Sequence, residues 1–175
     1  PLSDAVNFTH TLFHYKKKTK DWYDITYWSN ILNIDIAKEK EKKMNMDKIS
    51  LKDGSLDILD KLKSQGKKLF LITNAHRITL NIKLKKFDIS KYFDEMICSH
   101  ELGYIKEDIQ FWHVLRLKLK LDYKYSVLVE DTFDNINSAH HAGLNNFVYI
   151  SSNKKFTSPL SPLIVKSFSE LSSSI

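Results

Sequence analysis

Short apolar runs that each end in polar side chains, separated by helical periodicity, are the feature that most constrains this fold. Leu69–Ile72 is followed by Thr73 and Asn74, and Val127–Val129 is followed by Glu130 and Asp131. Segments of this kind predict strands near 69–73, 96–98, 126–130 and 146–150. Because helical stripes lie between them, the pattern predicts an α/β fold with a parallel sheet and helices on both faces. Parallel sheets bind ligands at the carboxyl ends of their strands, where these polar side chains stand.

The chain divides into two compositional parts. Residues 1–48 predict helices, with apolar and aromatic side chains at helical spacing up to about residue 46. Residues 49–175 carry the alternating pattern of the predicted α/β core. The tail after Ser151 is rich in serine and proline, and it predicts loop with a short helix near 168–171.

Composition indicates a globular protein that acts on neither membranes nor nucleic acid. The net charge is +6, but only Arg77 and Arg116 among the 27 basic residues are arginine, the side chain preferred for reading phosphates and bases. Lys16–Lys18 is interpreted as a solvated helix face. The sequence contains no apolar run of membrane-spanning length. Cys98 has no second cysteine with which to form a disulfide, which favours a reducing, cytoplasmic setting.

A hydroxyl, an ammonium and paired carboxylates are predicted to meet at the strand ends. Lys106 lies 33 residues after Thr73 and 25 before Asp131. Phosphoryl transfer needs such donors and charges, and Mg²⁺ prefers carboxylate oxygens. We therefore assign Thr73, Asn74 and Lys106 to a phosphoryl group and Asp131 to magnesium, with Glu130 in a supporting or water-mediated role. Two plainer interpretations stay open: Thr73 ends a strand, and Asp131 caps the next helix.

Histidines offer weaker candidates. His76 follows Thr73-Asn74-Ala75 directly, and it is predicted either to face a substrate or to pack. His10 and His14 have helical i, i+4 spacing, but no third zinc ligand stands nearby in the sequence. Packed or exposed roles are favoured for His140 and His141.

These strings resemble the haloacid-dehalogenase (HAD) superfamily of phosphohydrolases. Thr73, Lys106 and Glu130-Asp131 match its second, third and fourth motifs. Its first motif, Asp-x-Asp-x-Thr, carries the nucleophilic aspartate that forms a phosphoaspartyl intermediate, and this string occurs nowhere in the sequence. The family often has proline directly after the lysine, where this chain has Glu107.

A closer resemblance, over nearly the whole chain, is to the bacterial IMP/GMP-specific 5′-nucleotidases. It rests on Trp22-Tyr23-x-x-x-Tyr27-Trp28-Ser29, Leu71–His76, Gly103-Tyr104-x-Lys106-Glu107-Asp108 and Trp112-His113. The resemblance implies magnesium-dependent hydrolysis of purine nucleoside 5′-monophosphates, with residues 1–48 forming most of a helical cap. The four cap aromatics are either a purine-stacking surface or packing. We expect Trp28 and Tyr23 to be buried.

The resemblance also places the missing nucleophile strand at the centre of the sheet, between the strands that end at Thr73 and Asp131. We therefore expect these two strands either to flank a gap or to close onto each other. The 175-residue chain alone is expected to be inactive. Two alternatives remain: a non-catalytic remnant that binds phosphate or a partner, and a different HAD phosphatase, for example one that acts on phosphoglycolate. The sequence does not predict the oligomeric state.

Overall fold

The computed structural model describes residues 2–152, 158–160 and 162–174. The first part is an N-terminal helical segment, as predicted, composed of α1 (Leu2–Lys16), α2 (Lys20–Tyr23), α3 (Ile25–Leu32), α4 (Ile36–Glu41) and α5 (Lys43–Met46). Short polar side chains start α2, α3 and α4, where Thr19, Asp24 and Asp35 each accept a hydrogen bond from a backbone N–H of the first turn. Asn33 ends α3 in the left-handed conformation, with φ of 51°.

Aromatic side chains pack the N-terminal helical segment against itself. Phe13, Trp22 and Trp28 meet edge to face, with ring centroids 4.5–6.1 Å apart. The indole N–H of Trp28 donates to the carbonyl of Trp22 at 3.0 Å. Trp28 is buried, which confirms that prediction, and its ring belongs to the packing of this segment.

The remaining elements alternate between helix and strand and confirm the α/β class. In chain order they are α6 (Ser55–Ser64), β1 (Phe70–Thr73), α7 (Arg77–Lys86), β2 (Glu95–Cys98), α8 (Ile109–Leu119), β3 (Leu128–Glu130), α9 (Phe133–His141), β4 (Phe147–Ile150), β5 (Leu163–Val165) and α10 (Phe168–Ser174). The helix predicted near 168–171 is present. The loop predicted for the rest of the tail is wrong at β5, and residues 153–157 and 161 of that tail lie outside the described part of the chain.

The strands form two separate parallel sheets. β1 pairs with β2, with Thr73 opposite Cys98, and β3 pairs with β4, which also pairs with β5. Within the described residues, β1 and β3 are therefore not hydrogen-bonded to each other. A groove of about 890 Å³ lies between them, lined by Phe70 and Leu71 on one side and by Leu128 and Val129 on the other. Of the two expected arrangements, the structure has the gap.

Helix α8 packs against both sheets. Its buried residues Phe111, Trp112 and Leu115 belong to one apolar cluster with Ile97 of β2 and Phe147 of β4. The groove therefore separates the strand edges while the sheets share a common core. In the described part of the chain, none of the helices has the length and apolar character needed to cross a membrane.

Candidate functional site

Thr73 is the last residue of β1 and Asn74 is the first residue of the loop after it, so both lie at the carboxyl end of that strand. The hydroxyl of Thr73 accepts a hydrogen bond from the backbone N–H of Ala75 at 3.0 Å, which tightens the turn out of the strand. Asn74 is buried at 7% exposure, and its carbonyl oxygen Oδ1 accepts from the backbone N–H of Lys106 at 2.9 Å. The structure thus joins the predicted hydroxyl loop to the predicted lysine loop through Asn74.

Lys106 and Glu130 form a buried ion pair. The ammonium Nζ of Lys106 lies 2.5 Å from Oε2 of Glu130, and their side chains are 12% and 5% exposed. The other oxygen of Glu130 accepts from the backbone N–H groups of Asp131 and Thr132, each at 3.1 Å. Both carboxylate oxygens are therefore occupied, and each buried charge has a compensating partner.

Further contacts fix the backbone at Lys106. The carbonyl of Lys106 accepts from the indole N–H of the buried Trp112 at 2.7 Å, which anchors the loop on α8. Asp108 accepts from the backbone N–H of Ile105 at 3.2 Å. Gly103 turns the chain into this loop with φ of 80°, a left-handed conformation that glycine adopts without strain. The ammonium is consequently presented from a rigid turn.

Asp131 stands exposed beside this pair. Helix α9 begins at Phe133 with Thr132 as its N-cap, so Asp131 is not the capping residue, and that plainer interpretation is wrong. The next acidic residue along the chain, Asp134, is exposed and forms an ion pair with Lys18 of the N-terminal helical segment. Asp131 is thus the carboxylate of this loop that faces solvent.

The residues present suit a magnesium ion held largely by water and substrate oxygens. Among the described residues, no three His, Cys, Asp or Glu side chains are grouped closely enough to hold a metal ion by themselves. His10 and His14 therefore have no third such side chain beside them. Magnesium retains several waters and takes only one or two protein carboxylates when a phosphate supplies oxygen. Asp131 is the better candidate for this ligand, because both carboxylate oxygens of Glu130 already accept hydrogen bonds from protein donors.

His76 lies at the start of α7. Its Nδ1 accepts from the backbone N–H of Ile78 at 3.3 Å, and its ring stacks on His100 with centroids 4.3 Å apart. Burial, and then the neighbouring His76, hold the pKa of His100 below its usual range. The Nε2 of His76 is 3.8 Å from a carboxylate oxygen of Asp24. The structure thus gives His76 a helix-capping and packing role beside the candidate site.

Glu107 and Tyr23 are residues of this site that the sequence did not predict. The phenol of Tyr23 donates to Oε1 of Glu107 at 2.5 Å, and Nδ2 of Asn74 donates to Oε2 of the same carboxylate at 2.7 Å. Tyr23 is half-buried rather than buried, which corrects the expectation for it. Burial, with the hydrogen bond to Glu107, raises the pKa of Tyr23 to about 12, so the phenol remains a donor. The sequence did contain one signal for Glu107: it stands directly after Lys106, where the family often has proline.

Comparison with known proteins agrees with this geometry. The family described as haloacid dehalogenase-like hydrolase matches residues 8–149. The GMP/IMP nucleotidase YrfG of Escherichia coli K12 is 28% identical over 141 residues, which cover 81% of this chain and 63% of that protein. The same figures hold for YrfG of Shigella flexneri. The chain therefore spans somewhat less than two thirds of the length of these relatives.

Solved structures show the same fold. A HAD phosphatase from Thermococcus onnurineus superposes with a TM-score of 0.82 at 19% identity, covering 97% of this chain and 78% of that one. The HAD-hydrolase YfnB of Bacillus subtilis, solved with magnesium, gives a TM-score of 0.67 at 19% identity and covers 91% and 74%. A predicted phosphoglycolate phosphatase from Haemophilus somnus gives 0.62 at 26% identity and covers 73% and 59%.

Proposed function

Because the chain belongs to the haloacid dehalogenase-like hydrolases, we propose that it carries the phosphate-handling part of a magnesium-dependent hydrolase of purine nucleoside 5′-monophosphates. One observation supports this most strongly. The loops after β1 and β3 meet through Asn74, Lys106 and Glu130, with Lys106 bonded to both other residues. A hydroxyl, an ammonium and carboxylates thus lie at one edge of the parallel strands, where such sheets bind ligands.

Each side chain has a distinct proposed role. The ammonium of Lys106 offsets the negative charge that phosphoryl oxygens and a carboxylate nucleophile bring into the site. The hydroxyl of Thr73 donates to a phosphoryl oxygen, together with backbone N–H groups of the loop other than that of Ala75, which donates to Thr73 itself. Asn74 binds the lysine loop and holds it in register with the β1 loop. Glu130 balances the lysine charge before a substrate arrives.

Asp131 is the proposed magnesium ligand, with Glu130 in support through the loop backbone. When bound, magnesium neutralises charge on the phosphoryl oxygens. Asp131 is exposed and follows β3 directly, and Glu130 accepts from its backbone N–H. Asp131 is therefore accessible to a solvated ion beside the Lys106–Glu130 pair.

The nucleophile is the part that this chain does not supply. The sequence contains no Asp-x-Asp-x-Thr string, while β1 and β3 face each other across an apolar groove of about 890 Å³. We propose that a strand carrying this string fills the groove in the active enzyme, and that residues 1–175 alone do not hydrolyse phosphate esters. A non-catalytic phosphate-binding or partner-binding role for the isolated chain is the corresponding alternative.

The proposed substrate class rests on the relatives. YrfG of Escherichia coli is named a GMP/IMP nucleotidase, and its match at 28% identity covers 81% of this chain. We assign residues 1–48 to the cap, residues 49–175 to the core, and the protein to the cytoplasm. A second candidate, a phosphoglycolate phosphatase-like activity, is favoured by the 26% identical structure from Haemophilus somnus.

Phosphate release tests this proposal. The chain extended upstream by a strand with Asp-x-Asp-x-Thr is expected to release phosphate from IMP only with magnesium, and the 175-residue chain to release none above a buffer control. In the extended protein, Lys106→Ala is expected to lower turnover by about 10²–10³. Asp131→Asn should raise the magnesium concentration required.

The control for these variants is Lys118→Ala, which alters an exposed lysine of α8. Full turnover of both site variants at low magnesium would contradict the site assignment. Hydrolysis of phosphoglycolate in preference to IMP would support the second candidate function. Magnesium-dependent release of phosphate by the unextended chain would overturn the proposed need for the added strand.

A further inference from the structure

The N-terminal helical segment reaches the candidate site through one short stretch, residues 18–24, which we call the docking segment. Asp24 approaches His76 in the loop after β1, Tyr23 bonds to Glu107 in the lysine loop, and Lys18 pairs with Asp134 at the start of α9. These contacts reach the loops after β1 and β2, which hold the proposed phosphate-binding residues, and the first turn of α9, which follows the loop of Asp131.

The three contacts differ in strength. Lys18 and Asp134 are 55% and 52% exposed, and exposed ion pairs contribute little. The Asp24–His76 pair, at 3.8 Å, is too long for a hydrogen bond. The Tyr23–Glu107 bond, at 2.5 Å, is short, half-buried and made to a carboxylate, the kind of hydrogen bond that is strongest. This bond is therefore the dominant polar contact of the three.

Glu107 is shared between the docking segment and the core. One carboxylate oxygen accepts from Tyr23, and the other accepts from Nδ2 of Asn74 at 2.7 Å. The Oδ1 of that same amide accepts from the backbone N–H of Lys106 at 2.9 Å. A continuous hydrogen-bonded path thus leads from Tyr23 through Glu107 and Asn74 to the backbone of Lys106.

We propose that Glu107 is a positioning residue that couples docking of the N-terminal helical segment to the placement of Lys106. With Tyr23 bonded, the Glu107 carboxylate fixes the amide plane of Asn74 and, through it, the backbone of the lysine loop. When Tyr23 is not bonded, Glu107 loses one of its two donors and is held only by Asn74, so the amide plane of Asn74 is less firmly fixed. The importance of this coupling rests on the proposed catalytic role of Lys106, but the coupling itself is a structural property of the chain.

The test follows the backbone amide of Lys106 in the 175-residue protein by ¹H–¹⁵N NMR and hydrogen exchange. Tyr23→Phe removes only the phenol hydroxyl and is expected to shift this amide resonance and the Asn74 side-chain amide. Exchange of the Lys106 amide should become about threefold to tenfold faster, as expected for the loss of one hydrogen bond. Tyr15→Phe, in the exposed part of α1, is the matched control and should change neither signal.

Glu107→Met distinguishes positioning from simple packing. Methionine keeps a side chain of similar length but has no oxygen that could accept from Tyr23 or Asn74. It should reproduce the Tyr23→Phe shift of the Lys106 amide, and Tyr23→Phe added to it should cause little further change. An unchanged Lys106 amide in folded Tyr23→Phe would overturn the proposal, as would fully additive shifts in the double variant. Because no readout is enzymatic, these outcomes are independent of the proposed activity.

Discussion

Replacing Glu130 with glutamine tests the energetics of the buried ion pair at the site. Glutamine keeps the shape of the side chain and an oxygen that accepts from the backbone N–H groups of Asp131 and Thr132. It removes the charge that faces Lys106, whose side chain is only 12% exposed. An ammonium left buried without its partner destabilises a protein by about 3–5 kcal/mol. The expected loss is a large part of a total stability of about 5–15 kcal/mol.

The free energy of unfolding can be measured by urea titration with tryptophan fluorescence. Trp112 reports on the site directly, because its indole bonds to the carbonyl of Lys106. The matched control is Glu41→Gln, which removes the acidic partner of Lys85 from an ion pair whose side chains are 43% and 66% exposed. That control should change the stability by about 0–1 kcal/mol.

The partner variant makes the reasoning refutable. Lys106→Met should be less destabilising than Glu130→Gln. In Lys106→Met, the Glu130 carboxylate still accepts from two backbone N–H groups. In Glu130→Gln, the buried ammonium of Lys106 has lost its carboxylate partner. The double variant should recover much of the Glu130→Gln loss, since neither charge remains. If Glu130→Gln costs no more than the exposed control, the two side chains do not form a buried pair and this account of the site is wrong.

Three further changes test other parts of the structure. The Arg77 guanidinium bonds to Glu101 and holds the pKa of that carboxyl below its usual value of about 4.3. The stabilising effect of this bond is therefore present above that pH and is lost as the pH falls through the folded-state pKa. In thermal melts, Glu101→Gln should differ from wild type at neutral pH and converge with it in acid. Tyr123→Phe removes a buried hydrogen bond to the Trp112 carbonyl and should lower the free energy of unfolding in urea by about 0.5–1.5 kcal/mol. Val129→Lys places a charge in the groove between the sheets and should reduce both ANS binding and aggregation.

Two of these changes have an exposed counterpart. Tyr125→Phe should leave stability unchanged because that side chain is 78% exposed. Leu117→Lys, on the solvent side of α8, should not alter ANS binding. Equal effects of a variant and its counterpart would refute the corresponding prediction.

Strand placement was largely predictable from the sequence. The apolar runs near 69–73, 96–98, 126–130 and 146–150 correspond to β1 through β4 within two residues at either end. β5 was missed because Leu163–Val165 is a run of only three residues directly after Pro162, in a segment whose composition favours loops. Its pairing with β4 is a tertiary contact, and local propensity does not report such contacts.

The sequence predicts where candidate residues lie along the chain, but not the bonds that they form. Thr73 and Glu130 end their strands as predicted, and Lys106 lies in a loop between those strands, yet the ion pair between Lys106 and Glu130 depends on how the two segments approach in space. The bond from Tyr23 to Glu107 joins residues 84 apart in the chain. Sequence pattern indicates which faces are buried, but it does not indicate which polar groups meet across them.

The two-sheet arrangement has a mechanical consequence. Among the described residues, no backbone hydrogen bonds tie β1 to β3, so side-chain contacts alone hold the two sheets at their distance. On one side these contacts are the apolar packing of α8, and on the other the packing of Ile58 of α6 with Val148 of β4 and Leu171 of α10. At the carboxyl ends of the strands, the salt bridge from Lys106 to Glu130 adds a buried ionic contact. The width of the gap is therefore expected to respond to changes in side-chain volume and charge, as a backbone hydrogen-bonded sheet would not.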